Sequence, residues 1–235
     1  RAGGVGVRDR ARTVTALDLD ETTVTLLLET AHAAGLLAPG DDPRAGLDEV
    51  WLPTPAYDQW LEEPTAQRWL ALVTGWLDTP RVAGLAGATD SKGRALVPLG
   101  PDLERGIAPT IRAAVLRDLA GLPDDAGTGG GSLIARLRWR SPRRAGRLHD
   151  DLVGWTLAEA AALGLAVGGA LASYARRLAA GDVDGAYDGL DALVPVPLDH
   201  VLLQADLTAV APGPLQPHLP RQLRLVADVE STGGA

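Results

Sequence analysis

Apolar residues recur along this chain at helical spacing, but proline or glycine cuts each run short, so the sequence specifies a mainly α fold of short helices with short β elements. Residues 8–17 read as a first short helix. Val24, Leu27, Leu28 and Ala31 then repeat at i, i+3, i+4 and i+7, marking one apolar helix face. Asp20 stands where an N-cap belongs, with Glu21 in the first turn, where a carboxylate suits the helix dipole. Gly35 ends the helix and Leu36 closes the cap by a hydrophobic contact. After the turn-rich stretch 38–48, Glu49-Val50-Trp51-Leu52 has the residue types of a short strand. Helix, turn, helix and strand is the order of a winged-helix unit.

Thr54-Pro55 and Pro64 start two further helices, the second stopping before Pro80. Trp69, Leu72, Val73 and Trp76 hold helical spacing there, which assigns the tryptophans to the core rather than to ligand stacking. From 81 to 106 the pattern dissolves into Gly, Pro and small residues and reads as a connection. Pro109 leads a helix carrying Ile111, Val115, Leu116, Leu119 and Leu122, closed by Pro123. The stretch 124–131, with Gly129-Gly130-Gly131, has linker composition. Ser132 caps a helix that ends at Ser141-Pro142. Thr156-Leu157-Ala158-Glu159 matches a capping box and Gly164 a stop. Leu171, Tyr174, Ala175 and Leu178 define the following helix, making a second helix-turn-helix candidate, and 183–193 a further helix. Pro195 and Pro197 end helical structure; a hairpin around Gln204-Ala205-Asp206 and a helix over 219–230 packed on it complete the reading.

A chain of 235 residues, 46% of them hydrophobic, is large enough to bury a real core in one or two domains. It opens with Arg1 and stops at Gly233-Gly234-Ala235 directly after an apolar helical run, so it is expected to be a piece of a longer protein. There is no basic-then-apolar leader, and charges and glycines interrupt the most apolar run, 157–178, so no membrane association is expected and the cytoplasm is favoured. Zero cysteines exclude disulfides and thiolate metal sites. A net charge of -8 argues against a protein that coats nucleic acid over its whole surface. Any polyanion site must be local.

The run Leu202-Leu203-Gln204-Ala205-Asp206-Leu207-Thr208-Ala209-Val210-Ala211-Pro212-Gly213-Pro214-Leu215, followed by Leu225-Val226-Ala227-Asp228-Val229-Glu230-Ser231, resembles the helicase-associated domain related to the amino-terminal domain of the XPB-type DNA-repair helicase, as found in large bacterial DNA-binding proteins. Trp51-Leu52-Pro53-Thr54, Arg68-Trp69 and Trp76-Leu77 are similar to the central region of those proteins. The resemblance implies nucleic-acid transactions and makes the hairpin and helix the start of a small α/β domain; it supplies no active-site residues. The expected organisation is therefore a winged-helix-like unit over 1–80, a connecting segment over 81–106, a second helical, helix-turn-helix-like unit over 107–195 and the truncated start of the α/β domain over 196–235.

The feature richest in chemistry is Arg136, Arg138, Arg140, Arg143, Arg144 and Arg147, with Trp139 among them. Six guanidinium groups suit bidentate contact with phosphates, and an indole suits base stacking. The alternative is a face whose arginines meet the protein's own carboxylates, with Trp139 in the core. Arg176 and Arg177 fall on the second helix of the later helix-turn-helix candidate, where a DNA-reading helix carries cations, the alternative being ordinary surface arginines. In the first unit the equivalent helix exposes Glu21 and Glu29, which repel phosphate and suit a structural or protein-binding surface. The four histidines lie far apart with no ligand spacing, so no metal is expected, and His149-Asp150-Asp151 reads as a solvated turn. Neither Gly3-Gly4-Val5-Gly6 nor Gly129-Gly130-Gly131 follows a strand or ends in Gly-Lys-Ser/Thr, and no nucleophile elbow is present. The reading is a non-enzymatic chain with no cofactor that binds DNA through Arg136, Arg138, Trp139, Arg140, Arg143, Arg144, Arg147, Arg176 and Arg177, or alternatively a scaffold whose winged-helix surfaces dock a protein partner.

Overall fold

A computed structural model describes residues 3–42, 47–124 and 126–231; Arg1, 43–46 of the turn-rich stretch, Asp125 of the linker and Gly233-Gly234-Ala235 lie outside the described residues. Among the described residues the chain is mainly helical with three short antiparallel strand pairs. Helix α1 (Val7–Leu17) leads to α2 (Glu21–Ala33), capped as expected by Asp20, whose carboxylate accepts from the Thr22 and Thr23 amides. Strands β1 (Leu37–Asp42) and β2 (Leu47–Pro53) then form a hairpin, with Ala38 opposite Leu52 and Gly40 opposite Val50. The first of these strands falls in the stretch that reads as turn. Its Ala, Pro, Gly and Asp residues have little β-preference, and it is strand because Val50-Trp51-Leu52 offers a ladder; a ribbon of two edges tolerates Pro39.

Helices α3 (Pro55–Glu62) and α4 (Thr65–Asp78) start at the expected prolines. Next come α5 (Ala108–Ala120), α6 (Gly130–Arg140) and α7 (Arg147–Ala162). Here α6 begins two residues before Ser132, with Gly129 in the cap position, so part of the glycine run is helix rather than linker. The capping box at Thr156 is also corrected. Helix α7 passes through it unbroken, the Thr156 hydroxyl donates to the Leu152 carbonyl one turn back, and Glu159 is buried. His149, Leu152, Val153, Thr156 and Ala160 share one buried face, a 3.6-residue period that marks the longer helix.

After Gly164, the dipeptide strands β3 (Ala166–Val167) and β4 (Ala170–Leu171) form a tiny hairpin, followed by α8 (Ser173–Ala179) and α9 (Val183–Asp191). The Gly168-Gly169 turn lies so close to 127–128 that a Cβ at Gly169 would overlap the Thr128 carbonyl, and Thr128 donates its amide to the Gly169 carbonyl at 3.2 Å.

One cluster of buried residues runs from Leu26 of α2 through Val73 and Trp76 of α4, Val115 and Leu119 of α5 and Val153 of α7 to Ala186 of α9. Each large side chain buried there contributes about 1.5–3 kcal/mol. The segment 81–106, a connection by composition, is irregular but lies within this packing: Val82, Leu85, Leu96 and Leu103 are buried in the same cluster. Gly84 lies flat against Trp155, where a Cβ would fall inside the indole. Gly4 sits almost as closely on the backbone of Pro98 and Gly100, so this one of the amino-terminal glycines serves close chain approach.

The packing also corrects α2. Its buried face is Val24, Thr25, Leu26, Glu29 and Thr30, while Leu27 points outward. The threonine hydroxyls are satisfied by carbonyls of their own helix, and Glu29 receives the Arg81 guanidinium at 2.5 and 3.1 Å and the Leu99 amide at 2.6 Å. Glu29 is thus no phosphate-repelling surface group. A second buried set adjoins it: Arg112 donates to the Thr79 and Arg81 carbonyls, lies 3.7 Å from Glu159 and covers the Trp76 ring, and Trp76 donates to Glu159 Oε2 at 2.6 Å. Burial pushes the Glu159 carboxyl above its ordinary value, with Arg112 opposing. Trp69 donates to the Leu163 carbonyl at the end of α7, edge-on to Tyr174.

Beyond Ala186 no described residue is buried. The expected hairpin is present as β5 (Leu202–Leu203) and β6 (Ala209–Val210), but the final helix, α10 (His218–Leu223), stops well short of 230. The exposed Leu225, Val226 and Val229 explain the early end, since an apolar face with nothing to cover gives a helix no tertiary support. Arg221 holds this segment to α3 through Glu62 at 2.5 Å.

Candidate functional site

The arginine-rich sequence occupies α6, a single helical turn at Pro142–Arg144 and the start of α7. Leu133 and Leu137 anchor α6 in the core, which turns the arginines toward its flanks. Arg136 and Arg140, one turn apart, both reach Asp118 of α5, whose side chain is only 1% exposed; Arg136 approaches to 2.7 Å. That approach is a charge contact, since Asp118 Oδ2 lacks an aligned hydrogen bond. Arg138 grips Asp150 of α7 with both Nε and Nη2 and holds that carboxyl below its ordinary value. Three of the six arginines therefore staple α6 to its neighbours. Their charge is compensated within the molecule.

The other three stand apart. Arg143 and Arg144 are exposed and have no acidic partner among the described residues. Arg147 is 96% exposed, with Asp151 at 3.8 Å, a loose pairing that solvent screens. Trp139, on the outer side of α6, is 83% exposed, so it is no part of the core. An uncovered indole four residues from the first of these exposed guanidinium groups in sequence offers stacking for a flat π-system, and the arginines offer charge for anions.

Arg176 is drawn inward. It donates to the carbonyls of Ala120, Leu122 and Pro123, closing the carboxyl end of α5, and has Asp124 at 3.4 Å. Arg177 lies 3.9 Å from Asp182. Neither extends the positive surface at the α6–α7 corner.

Sequence reasoning missed Asp118 and Asp150 as the groups that compensate the arginines. Asp118 had a visible signal, because it falls on the stripe of α5 that carries Val115 and Leu119, where a carboxylate needs a partner. His149 is buried beside Asp150, too far for a hydrogen bond at 3.6 Å, and among the described residues no three His, Asp or Glu side chains are grouped to hold a metal ion. No helix among the described residues is long and apolar enough to cross a membrane. No protein-family model, curated protein or solved structure matches the chain.

Proposed function

We propose that this chain is a non-catalytic, helicase-associated module that contacts DNA through the corner formed by Trp139, Arg143, Arg144 and Arg147. The observation that carries the reading is an indole 83% exposed, followed within eight residues of sequence by three exposed arginines, of which Arg143 and Arg144 have no acidic partner among the described residues and Arg147 has only a loose one. The resemblance of 202–215 to helicase-associated domains supports a role in nucleic-acid transactions, and the α1, α2, β1–β2 order is compatible with a winged-helix-like unit. Two or three free cations set a modest salt dependence, with a log–log slope of roughly -1.5 to -2.5. Anisotropy titrations of labelled DNA across salt test this. Reversing Arg143, Arg144 and Arg147 to Glu should abolish binding, whereas Asp118→Asn, which frees Arg136 and Arg140, should steepen the slope. Equal affinity of wild type and the triple reversal refutes the assignment.

A protein-docking scaffold is the second reading, favoured by the exposed Leu202, Leu203, Leu207, Leu225 and Val226 of the final segment. An apolar contact there would persist as salt rises, whereas a phosphate contact weakens.

A further inference from the structure

Resting on the nucleic-acid reading above, we infer that the polynucleotide taken at the α6–α7 corner is single-stranded. Trp139 makes no ring contact among the described residues and its indole is almost wholly in water, so a base can lie on it without any side chain moving aside. In a duplex the base faces are already stacked on one another. An indole on a helix surface reaches them only after a step is unstacked, whereas a single strand offers them freely.

The elements that could read a duplex groove are disarmed. Helix α8, the expected groove-reading helix of the second helix-turn-helix candidate, is seven residues long, has Arg176 folded back onto the end of α5 and has Arg177 beside Asp182. Helix α6 holds Arg136, Arg138 and Arg140 against Asp118 and Asp150, so a groove would meet few cations on it. Duplex affinity draws on many phosphate contacts, commonly about six to ten, and Arg143, Arg144 and Arg147 supply far fewer. Stacking replaces the missing electrostatics, and it is indifferent to base identity because every base has a π-face. The site therefore takes a short stretch of unpaired nucleotides without sequence preference, with phosphates on the arginines and one base on Trp139.

The test uses the full chain with labelled oligo(dT) and oligo(rU) of about 20 nucleotides and a mixed-sequence duplex of similar length. Both single strands, or one of them, should bind more tightly than the duplex. Trp139→Ala should weaken single-strand binding roughly five- to hundredfold, Trp139→Phe should retain most of it, and duplex affinity should not respond to either. Trp139 is too exposed for its loss to unfold the chain, which circular dichroism checks. Duplex bound as tightly as single strand, or Trp139→Ala binding single strand like wild type, overturns this inference and leaves the nucleic-acid reading standing. Binding of oligo(rU) alone upholds the single-strand inference and overturns the DNA part of that reading. If none of the three binds, both fall.

Discussion

Replacing Glu29 with leucine leaves the Arg81 guanidinium buried against Gly100 O, with only the mostly exposed Glu104 carboxylate at 4.0 Å, and strips the Leu99 amide of its acceptor. The two side chains of the pair are 4% and 9% exposed, so little water can take over. Orphaning one member of such a pair costs about 3–5 kcal/mol, and an orphaned amide about 1–3 kcal/mol, with the two losses overlapping. Leu99 adds to the cost, because it holds φ 59, a left-handed conformation worth about 1–2 kcal/mol of strain in a non-glycine residue, and its bond to Glu29 offsets that strain. A net loss of about 4 kcal/mol, with a urea slope of about 2 kcal/mol/M, moves the unfolding midpoint down by about 2 M. The double variant Glu29→Leu, Arg81→Met removes both charges and leaves the Leu99 amide and the Gly100 carbonyl without these partners, so it should cost about 2–3 kcal/mol, less than the single change. Urea melts of the single and double variants measure this directly. A Glu29→Leu loss below about 1 kcal/mol, or a double-variant loss equal to the sum of the singles, refutes the claim that this pair holds 81–106 in the core.

Gly84→Ala should cost about 1–3 kcal/mol and shift the tryptophan fluorescence, because the new methyl group displaces Trp155, whereas Gly106→Ala, with open space around it, should stay within about 0.5 kcal/mol. Arg176→Ala should lower the melting temperature by uncapping α5 while leaving oligonucleotide affinity unchanged, the reverse of Arg143→Glu with Arg144→Glu. Acid response should carry two signs. Asp150 is held below 3.8 by Arg138, so its contribution is complete above that value and is lost as pH falls through the lower folded one; Asp150→Asn should flatten this arm of the stability curve. Glu159 is raised above 4.5 by burial, so the native state binds its proton more tightly and gains stability as pH falls from the folded value toward 4.5; Glu159→Gln should remove that gain, and parallel pH–stability curves would refute it.

Much of the fold is written locally. Asp20 beside Thr22 and Thr23, the prolines at 55 and 64 and the stops at Gly35 and Gly164 act within a turn or two, so the helix ends they set were legible in order along the chain. The short β5–β6 hairpin was legible for the same reason. The site was legible only as a list of arginines. Whether a guanidinium is free depends on carboxylates that come near it only on folding: Asp118 lies 22 residues from Arg140 and Asp150 lies 12 from Arg138. The same holds for Glu29, which local spacing puts on the outside of α2 and Arg81, 52 residues away, pulls inside. Sequence alone determined where helices begin and stop and that positive charge concentrates between 136 and 147, because capping, turn chemistry and composition act at short range. Tertiary structure decided which faces are buried and which charges survive, leaving Trp139, Arg143, Arg144 and Arg147 in solvent, because burial and ion pairing are properties of neighbours in space.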